Sequence, residues 1–131
     1  MLPTIPSHLF ELPIYKKAIE IITLSQNLSQ YFIEDLSELK SDGSEDVNIY
    51  FSGDIVQQSV SLAPEILKAE LEHYSERKYK HLLSIKRLTY LLHKNCSRLE
   101  RANSNGKDYI AILRRELKAF RKLQHTWALR F

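Results

Sequence analysis

Apolar residues recur at helical intervals in four separate stretches of the chain. In the first stretch the steps are three, four or seven residues, at Ile14, Ala18, Ile21, Leu28, Phe32, Leu36 and Leu39. Residues with this spacing share one stripe of a helix, so we predict a helix over about residues 14–39. The run Ser41-Asp42-Gly43-Ser44-Glu45-Asp46 combines a glycine with polar and acidic residues, which predicts a loop after that helix.

The second stretch predicts a helix over about residues 47–73 with an unusually wide apolar surface. One apolar set comprises Ile55, Leu62, Ala63, Ile66 and Ala69, and a second set beside it comprises Val56, Val60 and Leu67. A helix with such a wide stripe is typical of a bundle centre or a subunit contact, so it is a candidate oligomer interface. Pro64 lies inside this helix, which predicts either a kink near residues 60–61 or a helix that restarts there.

The third and fourth stretches predict helices over about residues 76–102 and 107–130. Ser75 is a candidate N-cap for the third helix. The turn signal Asn103-Ser104-Asn105-Gly106 separates the two helices. Their apolar stripes contain Tyr79, Leu82, Ile85, Leu92, Cys96 and Leu99 in the third, and Ile110, Leu113, Leu117, Phe120 and Trp127 in the fourth.

Length and composition fit a single helical domain. The chain has 131 residues, of which 44% are hydrophobic, with only 3 Gly and 4 Pro to form turns. A domain of this size builds one core. We therefore predict a single all-α domain over residues 1–131, an antiparallel up-down four-helix bundle.

Cysteine usage and hydropathy predict a cytoplasmic protein. Cys96 is the only cysteine and cannot form an internal disulfide, which fits a reducing compartment. Residues 1–10 do not show the pattern of a secretion signal. Nowhere do about 18 apolar residues run uninterrupted, so we expect no membrane association.

Charge is divided unevenly along the chain. Residues 1–66 have a formal net charge of −7 and residues 67–131 one of +10, which together give the overall +3. The basic residues of the third and fourth helices follow helical steps, which would allow two neighbouring helices to present a positive band to several phosphates. The candidate nucleic-acid-binding residues are Arg77, Lys80, Arg87, Lys94, Arg98 and Arg101 on the third helix and Lys107, Arg114, Arg115, Lys118, Arg121 and Lys122 on the fourth. The alternative, equally weighted, is that these are solvated faces paired with the acids of the first two helices.

Recognisable catalytic motifs are lacking, so we predict a protein that is not an enzyme and has no cofactor. The three glycines are too scattered to form a phosphate-binding loop. Cys96 with His93 has the spacing of a nucleophile and base, but a thiol on an apolar stripe is better explained as a core residue. Glu70 and His73 form a single Glu-x-x-His motif, whereas a di-iron site needs two. We expect no metal site.

Aromatic residues on the last two helices are better explained by packing than by base stacking. Tyr79, Tyr90, Phe120 and Trp127 lie on or next to the predicted apolar stripes. This interpretation leaves the charge pattern as the main indication of a nucleic-acid partner.

Four segments of the chain resemble a family of small bacterial four-helix bundles. The family includes the ribosomal intervening-sequence protein and the accessory variability determinant of diversity-generating retroelements. Leu12-Pro13-Ile14-Tyr15-Lys16-Lys17-Ala18 is similar to the opening of its first helix, and the segments 54–64 and 79–85 are similar to its second and third. The ending Trp127-Ala128-Leu129-Arg130-Phe131 is similar to a family C-terminus.

A departure from the family pattern favours its accessory-protein branch. The intervening-sequence branch has an Asn-Ile-Ala-Glu-Gly stretch in its second helix, whereas this chain has Glu65-Ile66-Leu67-Lys68-Ala69 after Pro64. Members of the accessory branch form a barrel-like homopentamer whose basic surface binds nucleic acid and a reverse transcriptase. The resemblance implies the same oligomer and partners here, without assigning a role to any individual residue.

Two functional hypotheses follow. The first is a homo-oligomeric accessory protein that binds RNA or DNA through the third and fourth helices and docks a partner such as a reverse transcriptase. The alternative is a protein-interaction or structural module without nucleic-acid binding, in which acidic and basic helices neutralise each other.

Overall fold

Four α-helices make up most of the computed structural model, which describes residues 5–35, 43, 47–101 and 106–131. A short 3-10 helix at Ser7–Glu11 precedes α1 (Pro13–Asp35), α2 (Val47–Leu71), α3 (Ser75–Leu99) and α4 (Lys107–Ala128). Within those ranges there is no β-strand. The prediction of an all-α chain with four helices is confirmed.

Helix ends agree with the prediction to within a few residues. The structure begins α1 with Pro13, which suits a first helical position because its missing N–H needs no partner there. Residues 36–39 of the predicted first helix lie outside the described residues, as do the loop residues around Gly43 and the turn residues 103–105. Gly43 itself has a φ of 84°, a left-handed conformation that glycine adopts without strain.

The N-cap of α3 lies one position before the candidate Ser75. Tyr74 occupies the N-cap and makes no side-chain capping bond, while Ser75 is already the first helical residue. The backbone N–H of Tyr74 instead donates to Glu72 Oε1 at 3.2 Å. The Glu72 carboxylate thus provides a hydrogen-bond acceptor for the backbone N–H of Tyr74, just before the first turn of α3.

Pro64 does not divide the second helix, because α2 is continuous from Val47 to Leu71. The restart that the sequence allowed is therefore wrong. Proline removes the donor for the carbonyl of Val60. Val60 is 45% exposed, so this part of α2 lies at the surface. Val56 and Leu67, its companions in the second apolar set, are half-buried.

The predicted apolar stripes form one core between the helices. Phe32, Ile66, Leu92 and Phe120 are all fully buried in it. Two predicted members are exposed instead: Val60, and Tyr79, which lies about 120° around the helix from Ile85. Leu36 and Leu39 lie outside the described residues. The core otherwise follows the predicted spacing.

Neighbouring helices make polar contacts across their seams. Between α2 and α3, Glu65 pairs with His81 at 2.8 Å and Gln58 accepts from Asn95 at 3.1 Å. Positions ascend along one helix as they descend along the other, which is consistent with antiparallel neighbours. The full up-down order stays a prediction.

Candidate nucleic-acid interface

The basic side chains of α3 lie at the surface. All six candidates are exposed, and none makes an ion pair within the described part of the chain. Arg98 contacts α2, since its guanidinium lies 4.9 Å from the ring centroid of Phe51. The guanidinium of Arg77 lies 5.1 Å from the ring centroid of Tyr74. Among the described residues, no ion pair or ring contact is made by Lys80, Arg87 and Lys94 of α3 or by Arg101 in the turn after it. We call these four residues the free α3 face.

The basic side chains of α4 divide into two groups. Arg114 is half-buried and forms an ion pair with Glu100 of α3, and Arg115 lies 3.8 Å from Glu116 on its own helix. Lys107, Lys118, Arg121 and Lys122 are exposed and have no ion pair among the described residues. These four form what we call the free α4 face.

The acidic side chains of the first two helices largely pair elsewhere. Glu65 interacts with His81 and Lys68, at the beginning of α3 and within α2. Glu70 binds Arg130 at 2.7 Å. Between α1 and α4 the base belongs to α1 and the acid to α4, because Lys17 binds Glu116 at 2.7 Å. Within the described chain, the acids of α1 and α2 therefore do not neutralise the candidate residues.

A groove of about 440 Å³ lies in the seam between α3 and α4. Its lining side chains are Lys86, Thr89, Tyr90, His93, Arg121, Gln124, His125 and Ala128. The lining contains two permanent cations, two imidazoles and no acid. Such a groove attracts anions, because no carboxylate within it offsets the positive potential.

The pKa of His93 is affected by its position in this seam. Burial lowers the pKa of its imidazole, and the nearby cations Arg121, Arg114 and Lys118 lower it further. Its Nε2 atom is buried and has no hydrogen-bond partner in the part of the chain that the structure describes. A buried nitrogen without a partner is unusual and marks a place where a water or a bound group completes the hydrogen bonding.

The buried Cys96 is explained by packing, as predicted from the sequence. It is fully buried on the core side of α3, and burial raises the pKa of the thiol to about 12. Because a thiolate is the reactive form, this side chain is a poor nucleophile at neutral pH. His93 belongs to the groove instead.

Tyr79 and Tyr90 correct the interpretation of the aromatic residues. Both were assigned to packing, but they are 60% and 65% exposed, whereas Phe120 and Trp127 are buried as expected. Helical spacing places Tyr79 about 120° and Tyr90 about 140° around α3 from buried Ile85, so both rings face away from the core. Tyr90 lines the groove and lies near the free α3 face, where an exposed ring is available for stacking.

Glu70 and His73 have different surroundings in the structure. The Glu70 carboxylate accepts a hydrogen bond from the indole N–H of Trp127 at 2.7 Å, and His73 is exposed beyond the end of α2. No group of three or more potential metal ligands occurs in the described residues. The role of Glu70 in joining α2 to the end of α4 was not predictable from its local sequence.

Comparisons with known proteins add no family or relative. No family model, no curated protein and no solved structure matches the chain. Among the described helices, none is both long and apolar enough to span a membrane.

Proposed function

We propose that the protein is a non-enzymatic accessory protein that binds nucleic acid through the free α3 and α4 faces. The observation that supports this most is the set of eight exposed lysines and arginines on these faces, none of which is paired within the described chain. Each phosphate that such a side chain neutralises releases a condensed counterion, which favours binding without requiring a particular base sequence.

The groove between the helices gives this surface continuity. Lys86 of α3 and Arg121 of the free α4 face both line it. A phosphate backbone crossing the seam therefore meets cations on both helices. Exposed Tyr90 adds a ring that a purely electrostatic surface does not have.

The oligomer and protein partner of the proposal rest on the resemblance. We propose a homo-oligomer, with the pentamer as the expected state, a reverse transcriptase as the docked partner and the cytoplasm as the site of action. The exposed Val60 and half-buried Leu67 of α2 provide apolar surface for a subunit contact. Sedimentation at several protein concentrations checks the oligomeric state.

Fluorescence anisotropy with labelled RNA and DNA over a salt series tests nucleic-acid binding. We expect affinity to fall steeply with salt, with a slope of roughly 0.7–0.9 per phosphate contacted. The variant Lys118→Glu/Lys122→Glu should bind at least about tenfold more weakly and show a shallower slope, because two phosphate contacts become repulsive.

The matched control is Lys16→Glu/Lys68→Glu, which makes the same change in net charge on α1 and α2. Both lysines are exposed and each makes one ion pair, Lys16 with exposed Glu11 and Lys68 with half-buried Glu65. Circular dichroism of the control variant should therefore match that of the wild type before binding is compared. An equal loss of binding in both variants would show that net charge, rather than the α3 and α4 faces, governs the interaction. No binding by the wild-type protein at low salt would reject the proposal in favour of a protein-interaction module.

A further inference from the structure

The α3–α4 groove combines two features, positive charge and an aromatic ring, of which a surface for the phosphate backbone alone needs only the first. Its volume of about 440 Å³ lies within the range of small-molecule sites. Lys86 and Arg121 contribute positive charge from opposite helices, and exposed Tyr90 contributes an aromatic face. Half-buried His93 contributes its Nε2 atom, which has no hydrogen-bond partner among the described residues.

Each feature corresponds to a part of one chemical class of ligand. Cations without a carboxylate among them suit a phosphate group. An exposed tyrosine at the same groove suits a planar base, since stacking on an aromatic ring works for every base. A nucleotide has both parts, whereas inorganic phosphate leaves the ring unused and an apolar ligand leaves the cations unused.

We propose that this groove binds one nucleotide of a single strand, with its phosphate between Lys86 and Arg121 and its base stacked on Tyr90. The inference rests on the proposed function and assigns it a substrate class. Because a base within a duplex is already stacked on its neighbours and paired, it cannot lie flat on Tyr90. The groove therefore favours single strands over duplexes.

The first experiment compares single-stranded and duplex oligonucleotides of equal length by anisotropy, with variants at Tyr90. Tyr90→Ala should weaken single-strand binding by about 5- to 100-fold, the effect of losing one stacked base. Tyr90→Phe keeps the ring and should retain affinity within about threefold. The duplex should respond little to either substitution.

Tyr50→Ala is the matched control, because Tyr50 is 61% exposed on α2, away from the groove. It should leave single-strand binding unchanged. If Tyr90→Ala binds single strands like the wild type while Lys118→Glu/Lys122→Glu has lost affinity, the nucleotide site is rejected and the proposed function stands. The two proposals thus fail separately.

A second experiment titrates adenosine monophosphate and inorganic phosphate separately, observed through the imidazole signals of His93 and His125. Adenosine monophosphate should shift the His93 signals and bind more tightly than phosphate, and Tyr90→Ala should remove that advantage. Equal affinity for the two ligands would reduce the groove to an anion site and overturn the assignment of a base. Mononucleotide binding without any oligonucleotide binding would support the site and reject the proposed function.

Discussion

Helix α3 packs against a complementary neighbour on one side and a similarly charged neighbour on the other. Towards α2, His81 meets Glu65, Asn95 meets Gln58, and Arg98 covers the ring of Phe51. Towards α4, the polar side chains at the groove are mostly cations and imidazoles. The comparison shows that the two sides of α3 differ in function. The polar side chains on its α2 side have partners within the chain, whereas cations on its α4 side are available to bind a ligand.

Replacing a core residue of α4 should have the largest effect on stability. Phe120 of α4 is fully buried, so Phe120→Ala should lower the free energy of unfolding by about 3–5 kcal/mol. Urea denaturation measures the loss, with Tyr90→Ala as a surface control that should change stability by less than about 0.5 kcal/mol. A loss below about 1 kcal/mol for Phe120→Ala would mean that α4 is not packed on the core as described.

The polar contacts of the α2–α3 seam should contribute next. Asn95 is buried, donates to Gln58 at 3.1 Å and accepts from Arg98 at 3.2 Å. Asn95→Ala removes both bonds and should cost about 1–3 kcal/mol, because the partners lose hydrogen bonds near the core. A double-mutant cycle with Gln58→Ala measures the coupling between the two amides. Additive losses would show that the amides do not interact across the seam.

The sequence predicted the core far better than the surface site, for a physical reason. Burial of Leu92 or Phe120 follows from helical spacing alone, because a stripe of apolar residues must face other stripes. Whether a cation such as Arg114 is free or paired depends instead on Glu100, fourteen positions away and across a seam. Periodicity found the basic residues but could not separate the paired from the unpaired.

The groove itself had no signal in the sequence. It depends on how Lys86 and Tyr90 of α3 lie opposite Arg121 and His125 of α4. That juxtaposition is set by helix packing, not by local spacing. Only the exposure of Tyr90 had a partial signal, because helical spacing places this residue away from the apolar stripe of α3.

The ion pair between α3 and α4 should contribute less to stability than the polar contacts between α2 and α3. Arg114 and Glu100 keep about two-fifths of their side-chain surface exposed, at 39% and 41%, so water screens their ion pair. Arg114→Gln should change the free energy of unfolding by at most about 1 kcal/mol. Urea denaturation at low and high salt checks this, because a screened pair loses its contribution as salt rises. A loss as large as that of Asn95→Ala would contradict the contrast between the two seams.

Acidification should have the smallest effect on stability, and this effect should arise in the α3–α4 seam. The pKa of His93 is lowered in the folded protein by burial and by Arg121, Arg114 and Lys118, whereas in the unfolded chain the imidazole titrates near its usual value of about 6.5. Between those two pKa values the unfolded state binds more protons than the folded state. The free energy of unfolding should therefore fall as the pH drops from about 7 through 6.5 towards the lower pKa.

Comparison of two histidine variants assigns this slope to His93. His93→Gln should flatten the dependence of stability on pH over that interval, while His125→Gln, an exposed residue of the same groove, should leave it in place. A saturating mononucleotide should also reduce the slope, because its phosphate offsets the field of Arg121 and raises the pKa of His93. An unchanged slope in His93→Gln would mean that neither burial nor the cations of α4 lower the pKa of this imidazole, and the α3–α4 seam would then lose its electrostatic distinction from the α2–α3 seam.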